Sequence, residues 1–224
     1  MGKLYIIATP IGNLEDITLR SLRILKEVDL VLCEDTRQTR KLLDRYEIKT
    51  PTLSYHQHSK LQKIKQIIEF LRKGKKLALV SDAGTPAISD PGGKLVEEVL
   101  RALGDGTEII PLPGPTAVAA AASVSGFPTD KFLFLGFPPH KHGRAAFFKK
   151  IDIAEETVIF YESTHRILKS LEELRTAAGE RRVTVCRELT KMFETIYRGT
   201  VSKVLEKLKA DTTKGEFVIV VGKK

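Results

Sequence analysis

The stretch LVSDAGTPAISDPGG, residues 79–93, combines residue types that could hold a ligand. An apolar run at residues 77–80 predicts a strand, which leads into a loop of Gly, Pro, Ser and Thr carrying Asp82 and Asp90. Small residues let the backbone approach a ligand closely. Because the loop has two acids and no Lys or Arg before Lys94, it favours a ligand with positive charge over an anionic one.

Two other turns have a similar composition, ATPIGN at residues 8–13 and PLPGPTA at residues 111–117. Each follows a predicted strand, and in a parallel sheet all three turns lie at the carboxyl edge, where ligands bind. Gly and Pro also punctuate ordinary turns, so any one of the three alone is typical of a plain turn. Three such turns at one edge favour a binding site.

The sequence disfavours a phosphate-bearing cofactor. It has no G-x-x-x-x-G-K-[ST], and no G-x-G-x-x-G opens a helix with an acid about twenty residues further on. Asp82 would also repel a pyrophosphate. S-adenosylmethionine, with its sulfonium centre, amino group and ribose hydroxyls, suits these loops better and is the predicted cofactor.

Strand-like and helix-like patterns alternate along the first half of the chain, which predicts an α/β domain with a mainly parallel sheet over residues 1–114. Its predicted strands are residues 4–9, 29–33, 77–80 and 108–112, and its predicted helices are residues 18–28, 36–46, 60–73 and 93–103.

The second half, residues 115–224, predicts an α+β domain with a mixed sheet, in which residues 183–221 pair as antiparallel strands. The predicted strands are residues 132–136, 157–161, 182–188, 194–200 and 216–221, and the predicted helices are residues 115–123, 164–178 and 201–209. A basic loop is expected between the first two strands.

The composition, with 42% hydrophobic and 29% charged residues among 224, is typical of a globular protein. The formal charge of +9 indicates either a well-solvated surface or a polyanionic partner such as nucleic acid. The only two cysteines, Cys33 and Cys186, lie in apolar runs, which predicts buried thiols and a reducing, cytoplasmic location. Prolines break the longest uncharged run, residues 109–129, so no membrane span is expected.

Seven stretches together resemble one family, the ribosomal RNA small-subunit methyltransferase I group of the tetrapyrrole methylase superfamily. They are ATPIGNLEDIT, CEDTRQTRKLL, LVSDAGTPAISDPG, PLPGPTAVAAAASVSGFPTDKF, FYESTHRI, CRELTKMFE and KGEFVIVV. The resemblance runs from Leu4 to Val221. One departure is Thr164, where the family usually has Pro, and we expect Thr164 to cap the helix that follows.

The resemblance implies a two-domain protein that binds S-adenosylmethionine in the cleft between its domains. It implies methyl transfer to the ribose 2′-oxygen of a cytidine in the decoding centre of 16S rRNA, with the assembled small ribosomal subunit as substrate, and it implies a homodimer. The cofactor contacts that it implies are Pro10, Asp82, Gly84, Thr85, Ile88, Thr116 and Ala117 from the first domain, and Tyr161, Leu189, Thr190 and the Gly215–Glu216 turn from the second.

Methyl transfer to oxygen is an in-line displacement, in which alignment supplies most of the acceleration and a base or cation assists the hydroxyl. We expect Asp35 or Glu34 to polarise the hydroxyl, with Arg37 and Lys191 gripping phosphate. Other acid and base groups near one another are Glu162, Arg187 and Glu188. Each of these groups could instead form an ion pair that holds a strand end.

Residues 138–150 form a basic segment with two phenylalanines, Phe147 and Phe148. Its Lys and Arg residues could follow rRNA phosphates, or the segment could be a solvated loop whose phenylalanines enter the core. A second basic stretch, residues 37–45, could face RNA too. His140 and His142 lack the partners that a metal site needs, so no metal is predicted.

Two other functions stay open on the sequence alone. The same fold and cofactor would serve a C-methyltransferase acting on a tetrapyrrole, whose carboxylates would also suit basic residues. A non-enzymatic RNA-binding or ribosome assembly module is the second alternative. The EDTR and RELTK stretches and the positive charge disfavour the first, and the three intact loops disfavour the second.

Overall fold

The computed structural model describes residues 2–56 and 61–224. The chain divides into two compact units, an N-terminal unit Met1–Thr116 and a C-terminal unit Ala117–Lys224.

The N-terminal unit alternates strands and helices. Its strands are β1 (Lys3–Ile7), β2 (Leu30–Cys33), β3 (Thr52–Ser54), β4 (Lys76–Val80) and β5 (Glu108–Leu112). Its helices are α1 (Leu19–Glu27), α2 (Thr36–Arg45), α3 (Leu61–Arg72) and α4 (Gly93–Leu103), with short 3₁₀ turns at Leu14–Asp16 and Gly104–Gly106.

In the described part of this unit, five strands form one sheet in the order β3-β2-β4-β1-β5. Every neighbouring pair is parallel, which confirms the predicted parallel sheet. The central strands are apolar on both faces, because helices cover both sides of the sheet; Leu4, Ile7, Leu77 and Val80 are at most 2% exposed.

Helix α3 shows how the apolar spacing produces this cover. Its residues Ile64, Ile67, Ile68 and Leu71 fall on one helical face, and all four are buried against the sheet. The predicted start of this helix, Lys60, lies outside the described residues. Strand β3 was not predicted, since three residues are too few to show a period.

The C-terminal unit has five strands and four helices among its elements. Its strands are β6 (Phe132–Phe134), β7 (Thr157–Ser163), β8 (Arg182–Arg187), β9 (Thr195–Thr200) and β10 (Glu216–Val221). Its helices are α5 (Ala117–Ser125), α6 (Arg144–Ile153), α7 (Ile167–Ala178) and α8 (Val201–Ala210).

These strands form a mixed sheet in the order β6-β7-β10-β8-β9. The pair β6–β7 is parallel and the other three pairs are antiparallel, which confirms the predicted mixed sheet. The carboxyl ends of β6, β7 and β8 therefore lie at the same end of the sheet, where β10 begins. We call this end of the sheet the β7 edge.

Helix α6 corrects one prediction, since residues 144–150 were expected to belong to a basic loop. Phe148 and Ile151 are at most 1% exposed, and Phe147 packs against the same core. The phenylalanines therefore enter the core, while Lys149 and Lys150 are exposed to solvent.

Both thiols, Cys33 and Cys186, are buried, as predicted. Burial raises the pKa of Cys186 to about 11. Across residues 2–56 and 61–224, no helix combines the length and apolar character that a bilayer crossing requires.

Candidate functional site

The three small-residue loops of the N-terminal unit lie side by side at the carboxyl edge of its sheet, because β1 pairs with both β4 and β5. The first two loops are joined by reciprocal backbone hydrogen bonds, with Thr9 N 2.9 Å from Gly84 O and Gly84 N 3.0 Å from Thr9 O. The Thr85 hydroxyl donates to Pro115 O at 3.1 Å, which joins the second loop to the third. The three loops therefore form one connected surface.

Two glycines are required for this approach. Gly84 has a left-handed φ of +81°, and a Cβ there would lie 3.3 Å from Cγ2 of Ile11. A Cβ on Gly114 would lie only 2.9 Å from Cβ of Ala8. Side chains larger than hydrogen would push the loops apart.

Non-glycine residues with left-handed backbone concentrate in two of the predicted ligand loops. Ala87 and Ser89, with φ of 71° and 60°, follow β4, and Glu188 and Thr190, with φ of 52° and 65°, follow β8. Such conformations cost on the order of 1–3 kcal/mol each and cluster where a ligand is held. Their positions support a binding role for both loops.

The predicted cofactor residues of the N-terminal unit all lie on or beside this connected surface. Asp82 and Ile88 are exposed, and the Asp82 carboxylate accepts the Asp35 N–H at 3.0 Å. The other positions are the buried Pro10 and Gly84 and the half-buried Thr85 and Thr116. Ala117, which follows Thr116 in the chain, is the first residue of α5 and of the C-terminal unit.

A cavity of about 430 Å³ opens beside this surface. Its lining includes the three predicted carboxylates and the predicted arginine, together with two residues that the sequence analysis missed, Ser54 and His56. The full lining is Glu34, Asp35, Thr36, Arg37, Ser54, His56 and Asp82. Ser54 Oγ lies 2.7 Å from His56 Nε2. Strand β3, which places them, is too short to show a period in the sequence.

Asp35 is the N-cap of α2, since its carboxylate accepts the Arg37 N–H at 2.8 Å. The Arg37 side chain also donates to it, from Nη2 at 2.7 Å and Nε at 3.1 Å. These hydrogen bonds lower the pKa of Asp35 to about 2. A carboxylate of such low pKa is a weak proton acceptor near neutral pH, whereas the Arg37 side chain that it orients is 88% exposed.

The other predicted cofactor residues of the C-terminal unit lie at the β7 edge. Tyr161, near the end of β7, packs its ring 5.0 Å from Phe134. Leu189 is buried and Thr190 half-buried in the link after β8, and the Thr190 N–H donates to Glu194 at 2.6 Å. Glu216 begins β10 with an exposed side chain.

Lys191 lies between two carboxylates at this edge, with Nζ 3.0 Å from Glu188 and 2.8 Å from Glu216. Partial burial lowers the pKa of Lys191, but the hydrogen bonds to the two carboxylates outweigh burial, so the pKa is raised. Lys191 is therefore positively charged and already paired with two carboxylates. A phosphate that contacts Lys191 would compete with them for its ammonium group.

Two further candidates are engaged in contacts within the C-terminal unit. Glu162 has no exposed side-chain area and lies 2.8 Å from Arg166. The Arg187 guanidinium is buried and donates to the carbonyls of Lys214 and Phe193, at 2.6 and 3.3 Å. Both residues hold chain segments at the β7 edge.

The expected helix cap at Thr164 is wrong. Its hydroxyl donates to Gly215 O at 2.7 Å and accepts the Gly215 N–H at 2.8 Å, while Arg166 is the cap residue of α7. Thr164 instead ties the end of β7 to the turn before β10. A Cβ on Gly215 would lie 2.6 Å from Cγ of Glu188, so this turn also needs glycine.

The connected surface of the N-terminal unit fits S-adenosylmethionine. Gly84 and Gly114 leave room that a Cβ would fill, and Asp82 offers an exposed carboxylate without a neighbouring cation in its own loop. Within residues 2–56 and 61–224, no group of three or more His, Cys, Asp or Glu could hold a metal ion.

Comparisons with known proteins identify related sequences and folds. The sequence profile of tetrapyrrole (corrin/porphyrin) methylases matches residues 3–205. A Thermotoga maritima protein called ribosomal RNA small subunit methyltransferase I is 45% identical over 100% of both chains. A protein of the same name from Escherichia coli O157:H7 is 46% identical over 98% of this chain and 77% of its own length.

Solved structures share the fold at lower identity. The methyltransferase CobJ superposes with a TM-score of 0.72 at 20% identity, covering 100% of this chain and 95% of its own. The cobalt precorrin-4 methyltransferase CbiF superposes with a TM-score of 0.69 at 23% identity, covering 98% of this chain and 94% of its own.

Proposed function

Because the chain belongs to the tetrapyrrole (corrin/porphyrin) methylase family, and within it to the group called ribosomal RNA small subunit methyltransferase I, we propose that it methylates 16S rRNA with S-adenosylmethionine. The acceptor is the ribose 2′-oxygen of a cytidine in the decoding centre, and the substrate is the assembled small subunit in the cytoplasm. The observation that carries this proposal is 45% identity over the full length of a relative with that name. The protein acts as a homodimer.

Each unit has its own set of proposed cofactor residues. In the N-terminal unit these are Pro10, Asp82, Gly84, Thr85, Ile88 and Thr116, followed in the chain by Ala117. In the C-terminal unit they are Tyr161, Leu189, Thr190 and Glu216. When bound, S-adenosylmethionine supplies an electrophilic methyl group beside a positively charged sulfur. The exposed Asp82 carboxylate favours that charge.

The ribose hydroxyl is prepared by residues of the cavity beside α2. Glu34 accepts a hydrogen bond from the hydroxyl and takes its proton as the ribose oxygen bonds to the methyl carbon and the methyl–sulfur bond breaks. Asp35, whose pKa is about 2, stays ionised and orients Arg37. The exposed Arg37 guanidinium then contacts a phosphate of the RNA, and Lys191 contacts another. These contacts align the oxygen with the methyl group, which is the main requirement for displacement.

Transfer of labelled methyl groups tests this function. Small subunits that lack the modification are incubated with the protein and labelled S-adenosylmethionine, alongside a tetrapyrrole with free carboxylates. Label in 16S rRNA supports the proposal. Label in the tetrapyrrole alone would instead favour the C-methyltransferase, and the absence of any calorimetric heat on adding the cofactor would favour a non-enzymatic binding module.

A further inference from the structure

Two arginine side chains fix the position of the loop after β6 by hydrogen bonds to its backbone. Arg144, at the start of α6, donates to the carbonyl of Pro139 at 2.9 Å. Arg166, before α7, donates to the carbonyl of Pro138 at 3.0 Å. Two consecutive carbonyls of one loop are thus fixed by side chains from two different parts of the chain.

The two arginines belong to one buried polar network. Arg144 also donates to Ser170 Oγ and to Glu173 Oε2, both at 2.9 Å. Ser170 in turn donates to the fully buried Glu162, whose other oxygen lies 2.8 Å from Arg166 Nε. Because its three guanidinium nitrogens donate within the unit and its side chain is only 8% exposed, Arg144 is not available to RNA, which was one of the two interpretations of the basic segment.

Burying charges costs free energy that burying apolar side chains would not cost. Stability of the fold alone therefore does not account for this network. Its donors end on the carbonyls of the loop, so the network specifies where the loop lies. The base of the loop is fixed as well, because the Tyr161 N–H donates to Gly136 O at 2.9 Å.

The held loop presents an aromatic ring and basic residues to solvent. Phe137 is 50% exposed and packs 5.3 Å from the Tyr161 ring. His140, Lys141 and His142 are exposed, and residues 137–143 contain no acid. The loop lies at the β7 edge, beside the candidate cofactor residues of the C-terminal unit.

We propose that this held loop, residues 137–142, binds a single-stranded segment of the substrate RNA. Phe137 stacks on an unpaired base, and Lys141 contacts a neighbouring phosphate. Stacking on an exposed aromatic beside a cation is how proteins hold unpaired nucleotides without reading their sequence. The inference rests on the proposed function and adds to it the part of the surface that receives the RNA.

The test compares two half-exposed phenylalanines at opposite ends of β6. Phe137→Ala is expected to weaken binding to small subunits on the order of tenfold and to raise KM with little change in kcat. Phe132→Ala, at a residue that is 43% exposed, should leave both unchanged. Phe137→Tyr should bind small subunits as tightly as the wild type, because it keeps an aromatic ring. Calorimetry should give the same cofactor affinity for the wild type and the three variants.

Lys141→Ala provides an independent measurement at the same loop. A plot of log affinity against log salt concentration has a negative slope, and loss of one phosphate contact to single-stranded RNA should reduce the magnitude of that slope by about 0.7. Lys131→Ala, an exposed lysine before β6, is the matched control and should leave the slope unchanged.

Two results would overturn the loop proposal. One is a wild-type enzyme that methylates small subunits while Phe137→Ala and Phe132→Ala show the same KM. The other is a loss of cofactor affinity in Phe137→Ala, which would assign the ring to the cofactor. If the wild type binds subunits without methylating them, the proposed function fails instead, and the same variants still judge the loop by binding alone.

Discussion

Asp35 and Glu34 are adjacent carboxylates that the structure places in different surroundings. Asp35 accepts three hydrogen bonds from Arg37, whereas Glu34 lines the cavity at the end of β2. The first arrangement suits an ionised residue that orients a cation, and the second makes Glu34 part of the cavity lining. Substitutions at the two residues are therefore expected to change different kinetic constants.

Glu34→Gln should lower kcat by about 10²- to 10⁴-fold, the usual contribution of a group that assists proton transfer. Asp35→Asn should mainly raise KM for small subunits, because Asn still caps α2 but no longer orients Arg37. Methylation kinetics with calorimetric control of cofactor binding separate the two effects. Wild-type kinetics in Asp35→Ala would remove Asp35 from the site.

The low pKa of Asp35 predicts a dependence of stability on pH. The folded value, about 2, lies below the ordinary carboxyl value of about 4. The stabilisation is therefore complete above about pH 4 and is lost as the pH falls toward 2. Thermal unfolding of the wild type and Asp35→Asn should show a gap in Tm that closes over that interval. A gap that stays constant to pH ~2 would contradict the assignment.

At the scale of elements, the connection between the three loops of the N-terminal unit depends on glycine. Gly84 and Gly74 have nearly the same left-handed φ, +81° and +80°, but a Cβ on Gly74 meets no atom within 4 Å. Both substitutions to Ala should cost about 1 kcal/mol of backbone strain. Only Gly84→Ala should also weaken cofactor binding, since it pushes against Ile11.

Calorimetric titration of both variants with S-adenosylmethionine measures this difference. Gly74→Ala controls for the loss of stability, which chemical unfolding measures separately. Equal cofactor affinity in the two variants would show that the loops at the carboxyl edge do not hold the cofactor.

Most elements could be predicted from the sequence because their apolar residues recur at the period of the structure that they form. The helix Gly93–Leu103 and the strands Glu108–Leu112 and Glu216–Val221 have the predicted bounds. Helix α6 was missed because basic residues and two adjacent phenylalanines obscured its period. Strand β3 was missed because three residues carry no period.

The candidate site was predictable where composition alone marks a loop, as at Gly84 and Gly114. It was not predictable where tertiary contacts decide a role. Ser54 and His56 reach the cavity only through the pairing of β3 with β2. The burial of Arg144, and the link from Thr164 to Gly215, depend on residues at least 26 positions away in the chain.

For the whole molecule, the net charge of +9 and the relatives at 45–46% identity support the same substrate class by independent routes. Charge favours association with any polyanion, so it does not distinguish RNA from a polycarboxylate macrocycle. The names of the relatives favour RNA over a macrocycle. Identifying the atom that receives the methyl group would distinguish methylation of the ribose from methylation of a base.

The position of the transferred methyl group tests the account most directly. Small subunits lacking the modification are incubated with the protein and labelled S-adenosylmethionine, and the 16S rRNA is digested to nucleosides for mass mapping. We predict label on the ribose of one cytidine in the decoding centre. Label on a base, or no label in the RNA, would contradict the proposal that these loops present a methyl donor to a ribose hydroxyl.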